Sequence, residues 1–256
     1  MRTKRRTVFD VISVILFVMI SLIMLIPIYK VLVDSFDLKT AYGMRLLPQQ
    51  FGLDGYISVF TNPTLFQPFL ISCVTTIAGT FAGLAISTLG AYVLIQWKMP
   101  GRKLLANFLL FTMIFNGGMI PTYLVMKTLG LTNTLWVVIL LPAINVYNLV
   151  LMRNFFEGIP ASLFESAEID GCSPMGTFFK IVLPIMKPTY LSVGILETMW
   201  VWNDYLLPTL VLDIKKYRTI PMAIQYFRGG YGRVELAPMM ACIIIAIIPI
   251  IILYMT

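Results

Sequence analysis

Six long apolar stretches, separated by shorter polar segments, dominate this sequence. The stretches cover approximately residues 8–33, 69–95, 104–126, 134–152, 189–212 and 236–256. Each is long enough to cross the hydrocarbon core of a bilayer as an α-helix of about 20 residues. The pattern predicts an all-α membrane protein with six transmembrane helices, which form one transmembrane domain over residues 1–256.

Two of the polar connections are long. Residues 34–68 contain Pro48, Gly52, Gly55, Asn62 and Pro63, which favour turns and predict an ordered loop outside the membrane. Residues 153–188 connect the fourth and fifth predicted spans and contain several carboxylates and prolines. Prolines within or near the ends of the spans predict kinks; they are Pro27, Pro121, Pro142, Pro208 and Pro249.

Basic residues predict the orientation, because they are enriched on the cytoplasmic side of membrane proteins. They cluster before the first span and between the second and third: Arg2, Lys4, Arg5, Arg6, Lys98, Arg102 and Lys103. These positions place the N-terminus and residues 153–188 in the cytoplasm. The first apolar stretch is too long for the core of a signal peptide and lacks an A-x-A cleavage site, so we interpret it as a retained span. Five basic residues oppose this count, because they fall in a segment predicted to be external: Lys215, Lys216, Arg218, Arg228 and Arg233.

Composition excludes several classes of function. Apolar residues make up 59% of the chain and charged residues 12%, about half the charged share of a soluble domain. The net charge of +7 lies in the segments between spans, which indicates membrane topology and not a nucleic-acid partner. The chain has no histidine and no GxxxxGK[ST] motif, so histidine-based catalysis, histidine metal sites and ATP binding through a P-loop are excluded. Its three cysteines, Cys73, Cys172 and Cys242, indicate no disulfide framework.

A stripe of small residues follows one face of the second span. Gly79, Gly83, Ser87 and Ala91 recur every four residues, and such a stripe lets two helices approach closely in lipid. Packing within the bundle and dimerisation with another subunit are both compatible with the stripe.

The segment between the fourth and fifth spans contains a predicted short helix. Pro160 and Ser162 are start signals, and Gly171 is a stop signal. Leu163, Phe164 and Ala167 form an apolar stripe beside several carboxylates, so this face needs a partner in the bundle, the lipid or another protein. Anionic lipid repels an acidic helix, which favours a protein.

The same segment resembles the EAA loop of ABC importer permeases. That loop has a glutamate, a small residue, alanine, three residues, glycine, nine residues and then Ile-x-Leu-Pro. The matching residues are Glu165, Ser166, Ala167, Gly171, Ile181, Leu183 and Pro184, with serine where the family usually has a second alanine. The Asp170–Gly171 pair, the later Pro188 and the Trp202-Asn203-Asp204 sequence further resemble the carbohydrate-uptake branch of maltose and oligosaccharide permeases.

The resemblance implies a role and a set of partners. It implies a permease subunit in the bacterial cytoplasmic (inner) membrane that works with a second homologous permease, two ATPase subunits and an extracytoplasmic solute-binding protein. ATP and Mg would be used by the ATPases; for this chain we expect no cofactor, no metal site and no catalytic residue. The residues that the resemblance assigns to ATPase coupling are Phe164, Glu165, Ser166, Ala167, Glu168, Asp170, Gly171, Ile181, Leu183 and Pro184.

The resemblance also implies a mechanism. The loop helix would dock in a cleft on an ATPase, and closure of the two ATPases around ATP would switch the permease pair from inward-facing to outward-facing. Glu165 would pair with a basic residue of the ATPase. Gly171 would let the chain leave the helix where a side chain would obstruct it.

A second group of candidate residues lies within the predicted spans. Glu197 and Asp204 are seven residues apart, which predicts one helical face, with Trp200, Trp202, Asn203 and Tyr205 nearby. Asn145 and Asn148 in the fourth span are polar residues within an apolar stretch and are candidates of the same kind. Carboxylates at this depth are costly and usually face a cavity or a partner; carboxylates, amides and indole rings also suit sugars. The group is compatible with a substrate pathway, and equally with hydrogen bonds that tie the helices together.

Three further questions stay open. A permease for another solute, such as amino acids or phosphate, and an ion-coupled secondary transporter that uses Glu197 and Asp204 are the rival functions. Residues 115–123 resemble a subgroup linked to complex oligosaccharides, and the basic external segment is compatible with an acidic sugar, a contact to the binding protein, or solvation. The sequence stops within the sixth span, whereas the family usually has a further polar tail, so we expect a shortened chain.

Overall fold

The computed structural model describes residues 8–39, 43, 45–96, 99–213, 215–229 and 236–255, and these residues are almost entirely helical. The helices in chain order are α1 Val8–Ser35, α2 Asp54–Thr61, α3 Pro63–Ile95, α4 Arg102–Ile114, α5 Met119–Thr128, α6 Leu135–Ala143, α7 Val146–Phe156, α8 Ala161–Ile169, α9 Pro174–Thr177, α10 Leu183–Ile185, α11 Lys187–Asn203, α12 Leu206–Val211, α13 Ile220–Gly229 and α14 Leu236–Met255. The predicted all-α class is confirmed. The basic residues of 1–7, Lys98 and Arg233, which carried part of the orientation argument, lie outside the described residues.

Four described helical segments are long and apolar enough to cross a membrane: α1, α3, Leu135–Phe156 and α14. Two bent pairs also qualify if each pair is one span. They are Arg102–Ile114 with Met119–Thr128, bent by 118°, and Pro174–Ile185 with Lys187–Asn203, bent by 79°. The described chain therefore has between four and six candidate spans, and the six-span count stays a prediction.

The chain divides into two compact units, and unit 1 consists of Met1–Phe66 and Ala223–Ile252. Its helix α1 exposes apolar side chains along almost its whole length; the buried residues of α1 are Val33, Asp34 and Ser35, in the last turn. A surface this apolar requires lipid or another apolar surface to cover it. Within unit 1, α2 lies so close to the start of α14 that a Cβ on Gly55 would be 2.9 Å from the carbonyl oxygen of Ala237.

Asp37 organises the segment that follows α1. Its buried carboxylate accepts hydrogen bonds from the backbone N–H groups of Lys39, Gln49 and Gln50 at 3.0–3.1 Å. Burial raises the pKa of Asp37, but these three donors and the nearby charge of Arg45 outweigh burial, so the net shift of the pKa is downward. The stabilisation is therefore present above the ordinary aspartate pKa of about 4 and is lost as the pH falls through the lowered value. These contacts order the described residues around Asp37, whereas residues 54–61 and 63–68 of the predicted loop are helical, in α2 and the start of α3.

Unit 2 consists of Gln67–Met222 and Leu253–Thr256, and three of its predicted spans are broken. Non-helical residues 115–118 separate α4 from α5, residues 144–145 separate α6 from α7, and residues 204–205 separate α11 from α12. Each break lies within a few residues of a predicted kink, at Pro121, Pro142 or Pro208. Pro121 and Pro208 lie in the first turns of α5 and α12, where a missing N–H costs nothing, and Pro142 lies in the last turn of α6.

Two apolar clusters hold unit 2 together. The first joins Ala91 and Tyr92 of α3, Met152 and Phe156 of α7, and Val193 of α11. It continues into Phe178 and Val182 of the π-helical turn Phe178–Val182 between α9 and α10. The second cluster joins α6 to α12 through Val137, Val138, Val211 and Leu212. The packing thus brings the end of α3, the end of α7 and the residues after α8 into one core.

The stripe of small residues on α3 packs inside unit 2. A Cβ on Gly83 would be 2.7 Å from Oε1 of Glu197, and one on Gly79 would be 3.4 Å from a methyl group of Val201. Ser87 and Ala91, farther along the stripe, are both buried. These contacts confirm the interpretation that the stripe serves packing within the bundle.

Candidate functional site

The loop helix α8 has the boundaries that the sequence predicts. It follows Pro160 and ends before Asp170 and Gly171, with Gly171 in the left-handed region at φ +73°. The N–H of Gly171 donates to the carbonyl of Glu168, and the N–H of Cys172 donates to the carbonyl of Ala167 at 2.9 Å. This pair of bonds closes the C-terminus of a helix and favours glycine at the left-handed position. A Cβ on Gly171 would meet open space, so within this chain the reason for glycine is its backbone conformation and not an obstruction.

The apolar stripe of α8 is largely satisfied by the protein's own bundle. Ala167 is buried, and Phe164 packs against the cluster formed by α3, α7 and α11. Glu165, Ser166, Glu168 and Asp170 are exposed. Of the three partners that the sequence leaves open for this stripe, the bundle is the one that Phe164 and Ala167 contact. Leu163 at 37% exposure and Ile169 at 86% remain as exposed apolar side chains.

The residues after α8 connect it to the membrane bundle. Ser173 caps α9 by accepting from the N–H of Gly176 at 3.1 Å, and the hydroxyl of Tyr92 on α3 donates to the carbonyl of Pro174 at 2.7 Å. The ring of Tyr92 also lies 4.9 Å from that of Phe178. Of the other predicted coupling residues, Ile181 is half-buried and Leu183 and Pro184 are exposed.

A cavity of about 600 Å³ lies between α8 and the bundle. Glu165 and Glu168 line one side, and Tyr92, Gln96 and Arg102 line another. The cavity separates part of α8 from the bundle, while Tyr92 and Phe178 attach the residues that follow α8 to the bundle core.

Glu197 is a buried link between three helices. Its side chain is 1% exposed, and it accepts a hydrogen bond from the amide of Asn148 on α7. Its other oxygen, Oε1, faces Gly83 of α3 and has no hydrogen-bond partner among the described residues. The sequence left open whether Glu197 and Asn148 line a substrate pathway or tie helices together. The geometry favours hydrogen bonding between helices for both residues.

Asp204 lies at the break between α11 and α12. Helix α11 ends at Asn203, and Asp204 has an extended backbone at φ −68° and ψ 116°. Its Oδ1 accepts from the N–H of Leu207 at 3.2 Å, as an N-terminal cap of α12 does. Because α11 runs without interruption from Glu197 to Asn203 and ends directly before Asp204, the predicted common face of the two carboxylates stays a prediction.

An asparagine or aspartate lies at each of the three breaks. Asn116 accepts from the N–H of Gly118 at 2.8 Å, and Asn145 accepts from the N–H groups of Tyr147 and Asn148 at 3.0 and 3.3 Å. Short polar side chains of this kind compete with the backbone for its hydrogen bonds and favour helix ends. Asn116 and Gly118 also line a cavity of about 200 Å³ with Leu206 and Leu207 of α12. We call residues 115–118, 144–145 and 204–205 with their adjoining side chains the break region.

The aromatic candidates of the break region divide into buried and exposed groups. Trp202 is buried and meets Phe69 edge-on at 6.4 Å. Trp200 is 58% exposed, and Asn203 and Tyr205 are exposed as well. Tyr147, which sequence reasoning missed, lies beside Trp200 with the ring centroids 6.3 Å apart. The available signal was an aromatic residue two positions after a capping asparagine, Asn145.

The long apolar helices indicate an integral membrane protein. A family model described as the inner membrane component of binding-protein-dependent transport systems matches residues 2–256. The chain therefore belongs to this family and is a multi-pass protein of the inner membrane.

Individual relatives agree with the family. The chain is 39% identical over 206 residues to protein LplC of Bacillus subtilis (strain 168), covering 79% of this chain and 70% of the relative. It is 35% identical over 267 residues to the polygalacturonan/rhamnogalacturonan transport system permease protein YtcP of the same organism, covering 98% and 93%. A solved structure of a bacterial ABC transporter involved in the import of the acidic polysaccharide alginate contains a similar chain, with a TM-score of 0.89, 25% identity and coverage of 99% and 96%.

Proposed function

We propose that this chain is one of the two membrane-spanning permease subunits of an ATP-driven ABC importer for oligosaccharides. The observation that carries the proposal is the intact EAA spacing on an exposed helix, α8, whose carboxylates are accessible at the surface. The family match and the substrates named for its relatives support the same function. The other subunits are a homologous permease, two ATPases that bind ATP and Mg, and an extracytoplasmic solute-binding protein.

The proposed coupling follows from how α8 is attached. Its exposed side, with Glu165, Ile169 and Asp170, is the surface available to an ATPase subunit. Its opposite side packs through Phe164 on the core shared by α3, α7 and α11. A displacement of α8 by the ATPase is therefore passed to the membrane helices, directly through Phe164 and indirectly through the bond between Pro174 and Tyr92.

The proposed orientation places the N-terminus and α8 in the cytoplasm, where the ATPases bind. The clusters of basic residues before the first span and between α3 and α4 support it. Cysteine labelling tests it, since Cys172 is half-buried beside α8. Membrane-impermeant maleimide is expected to reach Cys172 only from the cytoplasmic side and a cysteine at position 216 only from outside. Labelling of position 216 from the cytoplasm would reverse the orientation.

For the substrate, we propose an acidic oligosaccharide, such as an oligomer of galacturonate. One relative is named for polygalacturonan and rhamnogalacturonan, and the similar solved structure belongs to an alginate importer. The basic residues between α12 and α14 support an anionic ligand, and Lys216 is exposed there. The rival function of an ion-coupled carrier is not favoured, because Glu197 is paired with Asn148 and Asp204 caps α12.

The function is tested on the complete importer reconstituted in liposomes. Uptake of labelled trigalacturonate is expected to need ATP and the binding protein, and to continue when an ionophore collapses the proton gradient. An ion-coupled carrier would stop at once under the ionophore and would ignore ATP. Uptake of an amino acid or phosphate in place of any oligosaccharide would contradict the proposed substrate class and leave the permease role intact.

A further inference from the structure

Two exposed aromatic side chains meet in the break region of unit 2. Tyr147 lies in the first turn of α7, two residues after the break at 144–145, and Trp200 lies in the last turn of α11, just before the break at 204–205. Their rings are nearly parallel, at 17°, with centroids 6.3 Å apart. Tyr147 is 48% exposed and Trp200 is 58% exposed. The two breaks thus present a pair of aligned aromatic rings on the surface of the bundle.

Lipid is a poor partner for this surface. Asn203 is three residues from Trp200, hence on the same face of α11, and it is exposed. Exposed amides within a span are costly in hydrocarbon and usually face a cavity or a partner. The face with Trp200 and Asn203 is therefore better suited to a polar pathway than to the bilayer.

The neighbouring amides offer complementary hydrogen-bonding groups. Asn203 donates its Nδ2 group to the carbonyl of Met199 at 2.8 Å, so its Oδ1 remains the acceptor of that side chain. Asn145 uses Oδ1 to cap α7, so its Nδ2 group is the donor of that side chain. Sugar rings present C–H faces that stack on aromatic rings and hydroxyls that both donate and accept. The aromatic pair and its two flanking amides match these features.

We propose that Tyr147 and Trp200 form a stacking platform for one sugar ring of the oligosaccharide as it passes through the importer. The inference rests on the proposed function and adds a binding site on this permease itself. The platform recognises the face of the ring and not its charge, because Tyr147, Trp200 and the amide of Asn203 carry no charge. Selection for acidic sugars therefore occurs elsewhere in the importer.

The test uses the complete reconstituted importer, with trigalacturonate and maltotriose as probes. Trp200→Ala and Tyr147→Ala are each expected to raise the sugar concentration for half-maximal uptake by roughly fivefold to tenfold, at unchanged recovery of the ATPases and the partner permease. Trp200→Phe keeps a stacking ring and is expected to raise the sugar concentration for half-maximal uptake less than Trp200→Ala does. Trp136→Ala is the matched control, because Trp136 is similarly exposed at 62% in the same unit but lies on α6.

The other possible results of this test contradict either the stacking platform alone or the proposed function as well. A half-saturation within about twofold of the parent in Trp200→Ala, or an equal rise in Trp136→Ala, would overturn the platform while leaving the permease role in place. Loss of the partner permease on purification with unchanged half-saturation would assign the pair to the interface between subunits and would likewise overturn it. A parent importer that carries neither probe with ATP would contradict the proposed oligosaccharide function, and the platform with it.

Discussion

Around α8, helix ends are closed by backbone groups and by Ser173, whereas in the break region Asn145 and Asp204 close helix ends and Asn116 closes the turn before α5. The first arrangement leaves the carboxylates of α8 exposed, although α8 itself is anchored to an apolar core through Phe164. The second interrupts three neighbouring helices and exposes aromatic and amide side chains within spans.

This difference indicates a division of labour inside unit 2. The residues around α8 suit the transmission of a displacement, since Phe164 and Tyr92 join α8 and α9 to several membrane helices at once. The break region suits contact with a polar solute, because each break frees side chains that a continuous helix would turn toward lipid. Glu197, between the two, is buried and serves neither purpose directly. Its role is to hold α3, α7 and α11 together.

The largest expected effect comes from removing that link. Glu197→Ala leaves the amide of Asn148 unpaired and opens a cavity, so we expect a loss of about 2 to 4 kcal/mol of stability and poor assembly of the complex. Glu197→Gln keeps the acceptor and is expected to assemble normally. The melting temperature and yield of the purified complex measure both. Normal stability in Glu197→Ala with a raised half-saturation for sugar would return Glu197 to the substrate pathway.

A pair of alanine substitutions on α3 tests the same link from the other side. Gly83→Ala places a Cβ 2.7 Å from Oε1 of Glu197, whereas Gly79→Ala makes an ordinary contact of 3.4 Å with Val201. Gly83→Ala is expected to cost about 1 to 3 kcal/mol through overpacking, and Gly79→Ala much less. Equal melting temperatures of the two variants would mean that the carboxylate moves aside easily, and the link between α3 and α11 would be weak.

A smaller effect on stability, but a large one on transport, is expected at the end of α8. Gly171→Ala strains a left-handed residue by about 1 to 2 kcal/mol, enough to change how the chain leaves the helix. Uptake is expected to fall at least about tenfold while the protein stays in the membrane. The measurements are the uptake rate and the amount of ATPase recovered with the complex.

Gly171→Asn separates two reasons for the glycine. Asparagine tolerates the left-handed conformation better than alanine does, so it is expected to retain more uptake. If alanine and asparagine are equally harmful, the absence of a side chain against the ATPase matters more than the backbone angle. Glu165→Lys completes the comparison, since it reverses an exposed charge without touching the helix end and is expected to abolish uptake.

The sequence predicted α8 well because its signals are local. Pro160 at the start and Gly171 at the end specify the helix within about ten residues, and the structure has the same boundaries. The long apolar stretches also predicted the positions of most membrane helices. Hydropathy does not report where a buried helix breaks, however, since residues on both sides of a break are equally apolar.

Side-chain pairs formed between distant parts of the chain could not be predicted. Glu197 pairs with Asn148, 49 residues earlier, and only the packing of α7 against α11 brings them together. Tyr147 and Trp200 meet for the same reason. The breaks did have a local signal, an asparagine or aspartate in an apolar run, but the same residues are equally compatible with a binding role. Capping and binding become distinguishable only when the acceptor of each hydrogen bond is known.

The smallest expected effect concerns Asp204, where capping and charge make opposite predictions. As the cap of α12, Asp204 accepts from the N–H of Leu207 at 3.2 Å, and loss of such a cap costs about 0.5 to 2 kcal/mol. Asparagine caps about as well as aspartate. Asp204→Ala is therefore expected to lower the melting temperature of the complex by a few degrees, with Asp204→Asn close to the parent in both stability and half-saturation.

If Asp204 instead used its charge on the sugar, the two variants would raise the half-saturation alike, and the melting temperature would not separate them. Asn145→Ala provides the matched control, because Asn145 caps α7 in the same way without a charge. A similar loss of stability in Asn145→Ala and Asp204→Ala would mean that both residues serve to form the breaks. Contact with the sugar would then be left to Tyr147, Trp200 and Asn203.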